Sequence, residues 1–204
     1  GFWQDFLLII LPVTGIVCIL NVPSYLGFAF YIQQYLGVFF GLLMAVLFML
    51  VPIKKGAPAD RLPWYDLIFS FLSLASGLYL ALYYKEIVNE LGLIVAHRTI
   101  IATITILLII EASRRLLGMI FTIIVVFFIF YALFAYLFPG GLYGSGTSWA
   151  RLSNFLYLDP QGILGIAIET SAVIVFPFVF FGQALFNTGG GQFFTDSAMA
   201  LMGR

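Results

Sequence analysis

The feature that most constrains this chain is an uncharged stretch near its start, since no charged residue lies between Asp5 and Lys54. One helix of that length would extend about 70 Å, more than twice the hydrocarbon core of a bilayer. Two membrane spans therefore fit the stretch better than one. Polar and helix-breaking residues interrupt it at Asn21, Pro23, Ser24, Gln33 and Gln34. We predict spans at residues 6–20 and 35–51.

Composition supports the membrane interpretation. The 204 residues are 63% hydrophobic and 9% charged, whereas globular domains are about 25% charged, so a soluble fold is excluded. Nine basic residues balance nine acidic ones, which leaves no overall basic field for nucleic acid. With one cysteine, Cys18, and one histidine, His97, the chain cannot form an intrachain disulfide or a zinc cluster. The sequence predicts no catalytic site, no cofactor and no metal site, and so no enzyme.

Four more spans are predicted, at residues 66–84, 91–113, 116–138 and 162–186. The second of these has an apolar centre of only residues 99–110, so it crosses only if the helix begins near Leu91 and Arg98 extends outward. A short helix at residues 149–158 has the apolar spacing of a segment lying in the interface, and a further helix begins at Phe193. The expected fold is an all-α integral membrane protein with six transmembrane helices.

Basic residues set the expected orientation, because they are enriched in cytoplasmic connections. Lys54, Lys55 and Arg61 follow the second span, and Arg114 and Arg115 follow the fourth. Those connections should be cytoplasmic, and the N-terminus should lie on the same side. The first span could instead be a signal peptide, but it has no basic n-region and no small-residue cleavage site.

Two stripes of small residues predict close helix packing. They repeat every four residues in the second and third spans, at Gly37, Gly41 and Ala45 and at Ser73, Gly77 and Ala81. Such stripes allow backbones to approach each other in lipid, where the hydrophobic effect does not drive helix association.

Four ionisable residues are candidates for a role within or beside the membrane. Glu111 precedes Arg114 and Arg115 at helical spacing, which suits either an ion or headgroup site or a charged helix end anchored against lipid phosphates. Glu169 lies inside the sixth predicted span, where a carboxylate is costly, so it is a candidate for a transport pathway or for the interface.

Three stretches after residue 110 resemble one transporter family. They are EASRRLLG at 111–118 with FFIFYALFAYLFPG at 127–140, YLDPQGILGI at 157–166, and FVFFGQAL at 178–185 with GGGQFFTD at 189–196 and AMALMGR at 198–204. Their order and spacing are similar to those in the fused permease of TRAP transporters, the tripartite ATP-independent periplasmic transporters, of the TAXI type. The first 110 residues match that family only in hydropathy and helix count.

The resemblance implies a division of the chain and a function. Residues 1–113 would form the small four-helix membrane bundle, and residues 114–204 would begin the large transport domain. The family imports small organic acids or similar solutes across the bacterial inner membrane, driven by sodium or by protons, with a periplasmic binding protein as partner. Its ion-binding motifs lie beyond the stretches that match, so they map onto no residue here.

The outer connections are expected to contact that partner. Trp149, Arg151 and Asp159 lie in the long connection after the fifth span and combine an aromatic anchor with charges that steer association. The alternative is that Trp149 and Tyr157 belong to the aromatic belt of the bilayer. Two further functions remain open: a structural membrane scaffold without a substrate site, and an intramembrane enzyme, which would need a second acid beside Glu169.

The predicted orientation can be tested with single cysteines. In a Cys18→Ser background, Lys54→Cys should resist a membrane-impermeant maleimide in intact cells and react once the membrane is opened. Arg151→Cys, in an expected outer connection, is the control and should react in intact cells. Labelling of Lys54→Cys from outside would contradict the orientation.

Overall fold

The computed structural model of the chain describes residues 10, 12–17, 20, 25, 31–52, 63–90 and 92–203. Every regular element in this part is helical. The longer helices are α1 (Ile32–Leu50), α2 (Trp64–Asn89), α3 (Ala96–Leu116), α4 (Met119–Phe134), α5 (Trp149–Leu158), α6 (Ile166–Asn187) and α7 (Gly190–Met202). The prediction of an all-α chain is confirmed for these residues.

Four helices in the described part are long and apolar enough to cross a membrane. They are α1, α2, α6 and α4 together with the 3₁₀ turn that continues it to Leu137. The second, third, fifth and sixth predicted spans therefore correspond to apolar helices. The fourth corresponds to α3, which is not among these four helices. The first, at residues 6–20, lies largely outside the described residues, so a count of six spans stays a prediction.

The contact between α1 and α2 confirms that the two small-residue stripes face each other. A methyl group on Gly77 would overlap the carbonyl oxygen of Gly37 and lie 2.8 Å from the Cα atom of Gly41. A methyl group on Gly41 would lie 3.1 Å from the carbonyl oxygen of Ser73. Only glycine allows this separation of the two backbones, because the neighbouring atoms belong to the main chain and cannot rotate away.

Hydrogen bonds from polar side chains also join α1 and α2 near both ends of their contact. The Gln34 amide donates to the carbonyl oxygen of Ala81 at 2.6 Å, and the Ser70 hydroxyl donates to that of Ala45 at 3.2 Å. These pairs show that α1 and α2 run antiparallel. The prediction that Gln34 lies in a break between spans is wrong. Its side-chain oxygen accepts from the backbone N–H of Tyr31 and so satisfies a free donor at the start of α1.

The short helix α5 packs against the bundle through polar contacts. The Tyr157 hydroxyl is buried and donates to the carbonyl oxygen of Ser76 at 2.6 Å. The Trp149 indole donates to Thr103, and the Asn154 amide donates to Thr99, each at 2.9 Å. The predicted helix is confirmed, but its inner face lies on α2 and α3, because these polar groups find partners in the protein.

The remaining helices bury little of their surface within the described part. Thr122 is the one buried residue of α4, and Ala172 is that of α6. Helix α6 touches α1 where the rings of Phe39 and Phe176 meet edge to face at 5.6 Å. A turn with Gly118 at φ +87° separates α3 from α4, a backbone conformation that favours glycine.

The glycine contact predicts how two matched substitutions differ. Gly77→Ala should destabilise the chain by about 1–3 kcal/mol or more, because the added methyl group meets backbone atoms of α1. Gly182→Ala is the control, since Gly182 in α6 has open space around the added methyl group. That change should be neutral or slightly stabilising. Melting temperatures in detergent would compare them, and an equal loss in both variants would contradict the packing explanation.

Candidate functional site

Two groups of polar residues lie at opposite ends of the bundle formed by α1, α2, α3 and α5. The ion-pair cluster consists of Asp66, Glu111, Arg114 and Arg115. The polar cavity is formed where the end of α2, the start of α3 and α5 meet. The ion-pair cluster is enclosed by protein at its centre. The residues that line the polar cavity include buried polar atoms without hydrogen-bond partners.

Arg115 is the centre of the ion-pair cluster, with no exposed surface on its side chain. It donates to an Asp66 carboxylate oxygen at 2.6 Å, to the carbonyl oxygen of Val51 at 2.8 Å and to Glu111 at 2.9 Å. Asp66 is 2% exposed, so this is a buried ion pair. One guanidinium thereby joins the end of α1, the start of α2 and the end of α3.

Aromatic rings complete the enclosure of Arg115. The guanidinium carbon lies 4.9 Å from the ring centre of Phe48 and 5.6 Å from that of Phe69. At these distances the ring faces attract the cation. A buried charge is tolerated only when it is paired and hydrogen-bonded, and here both conditions hold.

The outer half of the cluster is the pair of Arg114 and Glu111. Arg114 donates two hydrogen bonds of 2.8 Å to the two carboxylate oxygens, and its side chain is 32% exposed. Arg115 adds a third hydrogen bond to Glu111, at 2.9 Å, so this carboxylate is paired with both guanidinium groups.

The prediction that Arg115 anchors the helix end against lipid phosphates is wrong, because its guanidinium is enclosed by protein. Partial exposure leaves contact with lipid phosphates open for Arg114 only, and Glu111 stays a candidate for the charged helix end. The expected pairing of Glu111 with both arginines at helical spacing is confirmed. Sequence spacing did not identify Asp66, which is distant in the chain from Arg115. An acidic residue at the first turn of a long apolar helix was the available signal.

The polar cavity has a volume of about 260 Å³. Its charged and polar lining consists of Glu90, Arg98, Arg151, Asn154 and Asp159, and its apolar lining consists of Ile87, Leu93, Ile94, Phe155 and Leu158. Two basic and two acidic side chains give the lining no formal net charge. The structure thus places Arg151 and Asp159, two of the expected docking residues, around one cavity.

Arg98 and Asn154, which line this cavity, each have a buried polar atom without a hydrogen-bond partner. The Arg98 side chain is 7% exposed and pairs with a Glu90 carboxylate oxygen at 2.5 Å, yet its Nε atom has no hydrogen-bond partner. The buried Oδ1 atom of Asn154 also has none. The Arg98 guanidinium pairs with Glu90 at the end of α2, so its partner is a carboxylate of the protein.

Trp149 is separate from the residues that line the cavity. Its indole N–H donates to the Thr103 hydroxyl in the middle of α3. The polar edge of the expected aromatic anchor therefore bonds within the protein. Arg151 is exposed and has no ion pair with any described residue. A role of these residues in docking stays a prediction.

Glu169 lies in α6, one turn after the start of the helix and directly before an irregular segment. Residues Ser171–Val175 form a π-helical turn in which the Phe176 N–H donates to the carbonyl oxygen of Ser171. Pro177 follows and has no N–H, which removes one hydrogen bond of the regular helix and favours such a bulge. Glu169 is half-buried and forms no ion pair within the described part of the chain.

No group of three or more His, Cys, Asp or Glu side chains among the described residues is arranged to hold a metal ion. Comparison with protein-family models, with curated proteins and with solved structures finds no match to this chain. The resemblance to TRAP permeases therefore stays a prediction from the sequence stretches that carry it.

Conservative substitutions of the two arginines test the ion-pair cluster. Arg115→Lys should lower stability by about 3–5 kcal/mol, because one ammonium cannot replace the three differently directed hydrogen bonds and leaves Asp66 incompletely paired. Arg114→Lys is the matched control in the partly exposed pair and should cost about 1 kcal/mol or less. Thermal unfolding in detergent measures both. Similar melting temperatures for the two variants would contradict a central role for Arg115.

Proposed function

We propose that the chain is the membrane component of a binding-protein-dependent secondary transporter that imports a small organic solute, driven by an ion gradient. The sequence stretches between residues 111 and 204 that resemble TRAP permeases of the TAXI type support this proposal. By the same resemblance the coupling ion is sodium, with a proton as the alternative, and the membrane is the bacterial inner membrane with the N-terminus in the cytoplasm.

The observation that carries the proposal is the interrupted helical path from α6 to α7. A π-helical turn occupies Ser171–Val175, and the left-handed Gly189, at φ +81°, separates the two helices. Interrupted helices expose backbone groups that regular helices satisfy internally, and transporters build solute and ion sites from them. Glu169 adds an ionisable group directly beside the first interruption.

The bundle of α1, α2, α3 and α5 suits a static part of such a transporter. The glycine contact holds α1 and α2 together, and Arg115 links the ends of α1, α2 and α3. A moving element must instead slide or rotate against its neighbours, which is easier for helices such as α4 and α6 that bury little surface in the described part.

A structural scaffold without its own solute path is the second candidate. The interlocked bundle is the observation that favours it, since such a unit can brace other helices against the bilayer. The two candidates differ in what they predict for Glu169. A transport path needs the ionisable group, whereas a scaffold needs only its bulk.

In the proposed arrangement, the end of the bundle that contains the polar cavity faces outward. The periplasmic binding protein would dock there on the connection containing Arg151 and Asp159, both of which line the cavity. Charged rim residues of this kind accelerate association and make it sensitive to salt.

Uptake measurements separate the two candidates. Proteoliposomes containing the complete transporter, with its binding protein and an inward sodium gradient, would first be screened with radiolabelled mono- and dicarboxylates. Glu169→Gln should then lower the maximal uptake rate at least about tenfold, equivalent to about 1.4 kcal/mol. It should leave the melting temperature unchanged, since Glu169 makes no described ion pair.

Glu86→Gln is the control, because Glu86 is an exposed acid on α2 away from the helix interruption. It should support normal uptake. Normal uptake by Glu169→Gln as well would favour the scaffold. If no solute in the screen requires both this chain and the binding protein, the transport proposal fails.

A further inference from the structure

The polar cavity combines features that no part of the proposed transport path explains. Its lining pairs opposite charges, it holds a buried donor and a buried acceptor without partners, and exposed apolar side chains surround it. We propose that this cavity binds the headgroup of a zwitterionic phospholipid with a primary ammonium group, a phosphatidylethanolamine. The inference does not rest on the transport proposal, although Arg151 and Asp159 are also the residues proposed to contact the binding protein.

The position of the cavity matches the depth of lipid headgroups. It lies at the C-terminal end of α2, a helix long and apolar enough to cross a membrane, and at the N-terminal end of α3. Side chains at the end of a spanning helix lie at the polar boundary of the bilayer. The cavity therefore opens where phosphate and ammonium groups are concentrated.

The two unpartnered atoms can take an acceptor and a donor from a ligand. Arg98 Nε is a donor on a side chain that is 7% exposed, and Asn154 Oδ1 is a buried acceptor. Leaving such groups unsatisfied costs about 1–3 kcal/mol each. A phosphate oxygen can accept from Arg98, and an ammonium group can donate to Asn154.

Charge balance selects a zwitterion over an anion. Arg98 and Arg151 attract a phosphate, but Glu90 and Asp159 line the same cavity and would repel a second negative charge. An ammonium linked to the phosphate by two carbons offsets that repulsion. A quaternary choline has no N–H to donate to Asn154, so the hydrogen-bonding pattern favours a primary ammonium.

Apolar side chains provide for the rest of the lipid. Leu93 is 63% exposed, Ile94 is 51% exposed and Phe155 is 45% exposed, all beside the charged lining. Glycerol and the first acyl carbons can cover them while the headgroup enters the cavity. The cavity volume of about 260 Å³ leaves room for a phosphoethanolamine group.

Lipid binding to the purified full-length chain tests the assignment. The chain would be delipidated in detergent and titrated separately with phosphatidylethanolamine, phosphatidylglycerol, phosphatidylcholine and soluble phosphoethanolamine. The melting temperature and the lipid retained in native mass spectrometry would be recorded. Phosphatidylethanolamine should raise the melting temperature at the lowest concentration and remain bound, because it supplies the ammonium, the phosphate and the apolar chains together.

Two arginine variants locate the binding. Arg151→Gln removes an exposed charge without a described ion pair and should raise the half-saturating phosphatidylethanolamine concentration about tenfold. Arg114→Gln removes one arginine at the opposite end of the bundle and should leave that concentration unchanged, whatever its own stability. Arg98→Lys keeps the charge but lacks Nε and should weaken binding at least as much as Arg151→Gln.

Several results would overturn the assignment. Equal stabilisation by phosphatidylglycerol or phosphatidylcholine would show general lipid contact rather than a headgroup site. Equal stabilisation by soluble phosphoethanolamine would identify a soluble zwitterion, and not a lipid, as the ligand. Unchanged binding in Arg151→Gln would mean that lipid binds elsewhere and that water alone fills the cavity.

Discussion

The close approach of α1 and α2 at three glycines is the contact on which the rest of the described structure depends. Lipid tails are as apolar as leucine side chains, so helices in a bilayer gain little from burying apolar surface against each other. Packing and polar contacts must hold them instead. Gly37, Gly41 and Gly77 bring the backbones together. At this distance, side chains can bond to main-chain carbonyls of the opposite helix, as Gln34 and Ser70 do.

That contact also fixes the relative position of the helix ends. With the two helices aligned in this register, the carbonyl of Val51 and the carboxylate of Asp66 lie where Arg115 of α3 reaches both. A shift of α1 against α2 by one turn, about 5.4 Å, would separate these acceptors and leave a charge uncompensated inside the protein. The glycine contact and the arginine cluster therefore reinforce each other, and α3 is held by the same geometry.

The sequence predicted features that depend on local spacing and failed where partners are distant in the chain. The helices and the two stripes follow from apolar length and a four-residue repeat. The buried Arg115 pairs with Asp66 at the start of α2. The buried Arg98 pairs with Glu90 at the end of α2. The expectation that an arginine near a helix end extends toward the membrane surface assumes that lipid phosphate or water is its best partner. For Arg98 and Arg115 a carboxylate within 3 Å takes the place of both.

The predicted division of the chain between residues 113 and 114 lies inside α3. Contacts of α3 with neighbouring helices involve residues on both sides of this division. Arg115 extends past that point to bind α1 and α2, while α5, from later in the chain, returns to pack on α2 and α3 through Tyr157 and Asn154. Residues on both sides of the division thus build one bundle. Helices α4 and α6 bury little in the described part of the chain. The division of the chain into two domains stays a prediction. Helix α6 contacts α1 at the rings of Phe39 and Phe176 and at the buried Ala172.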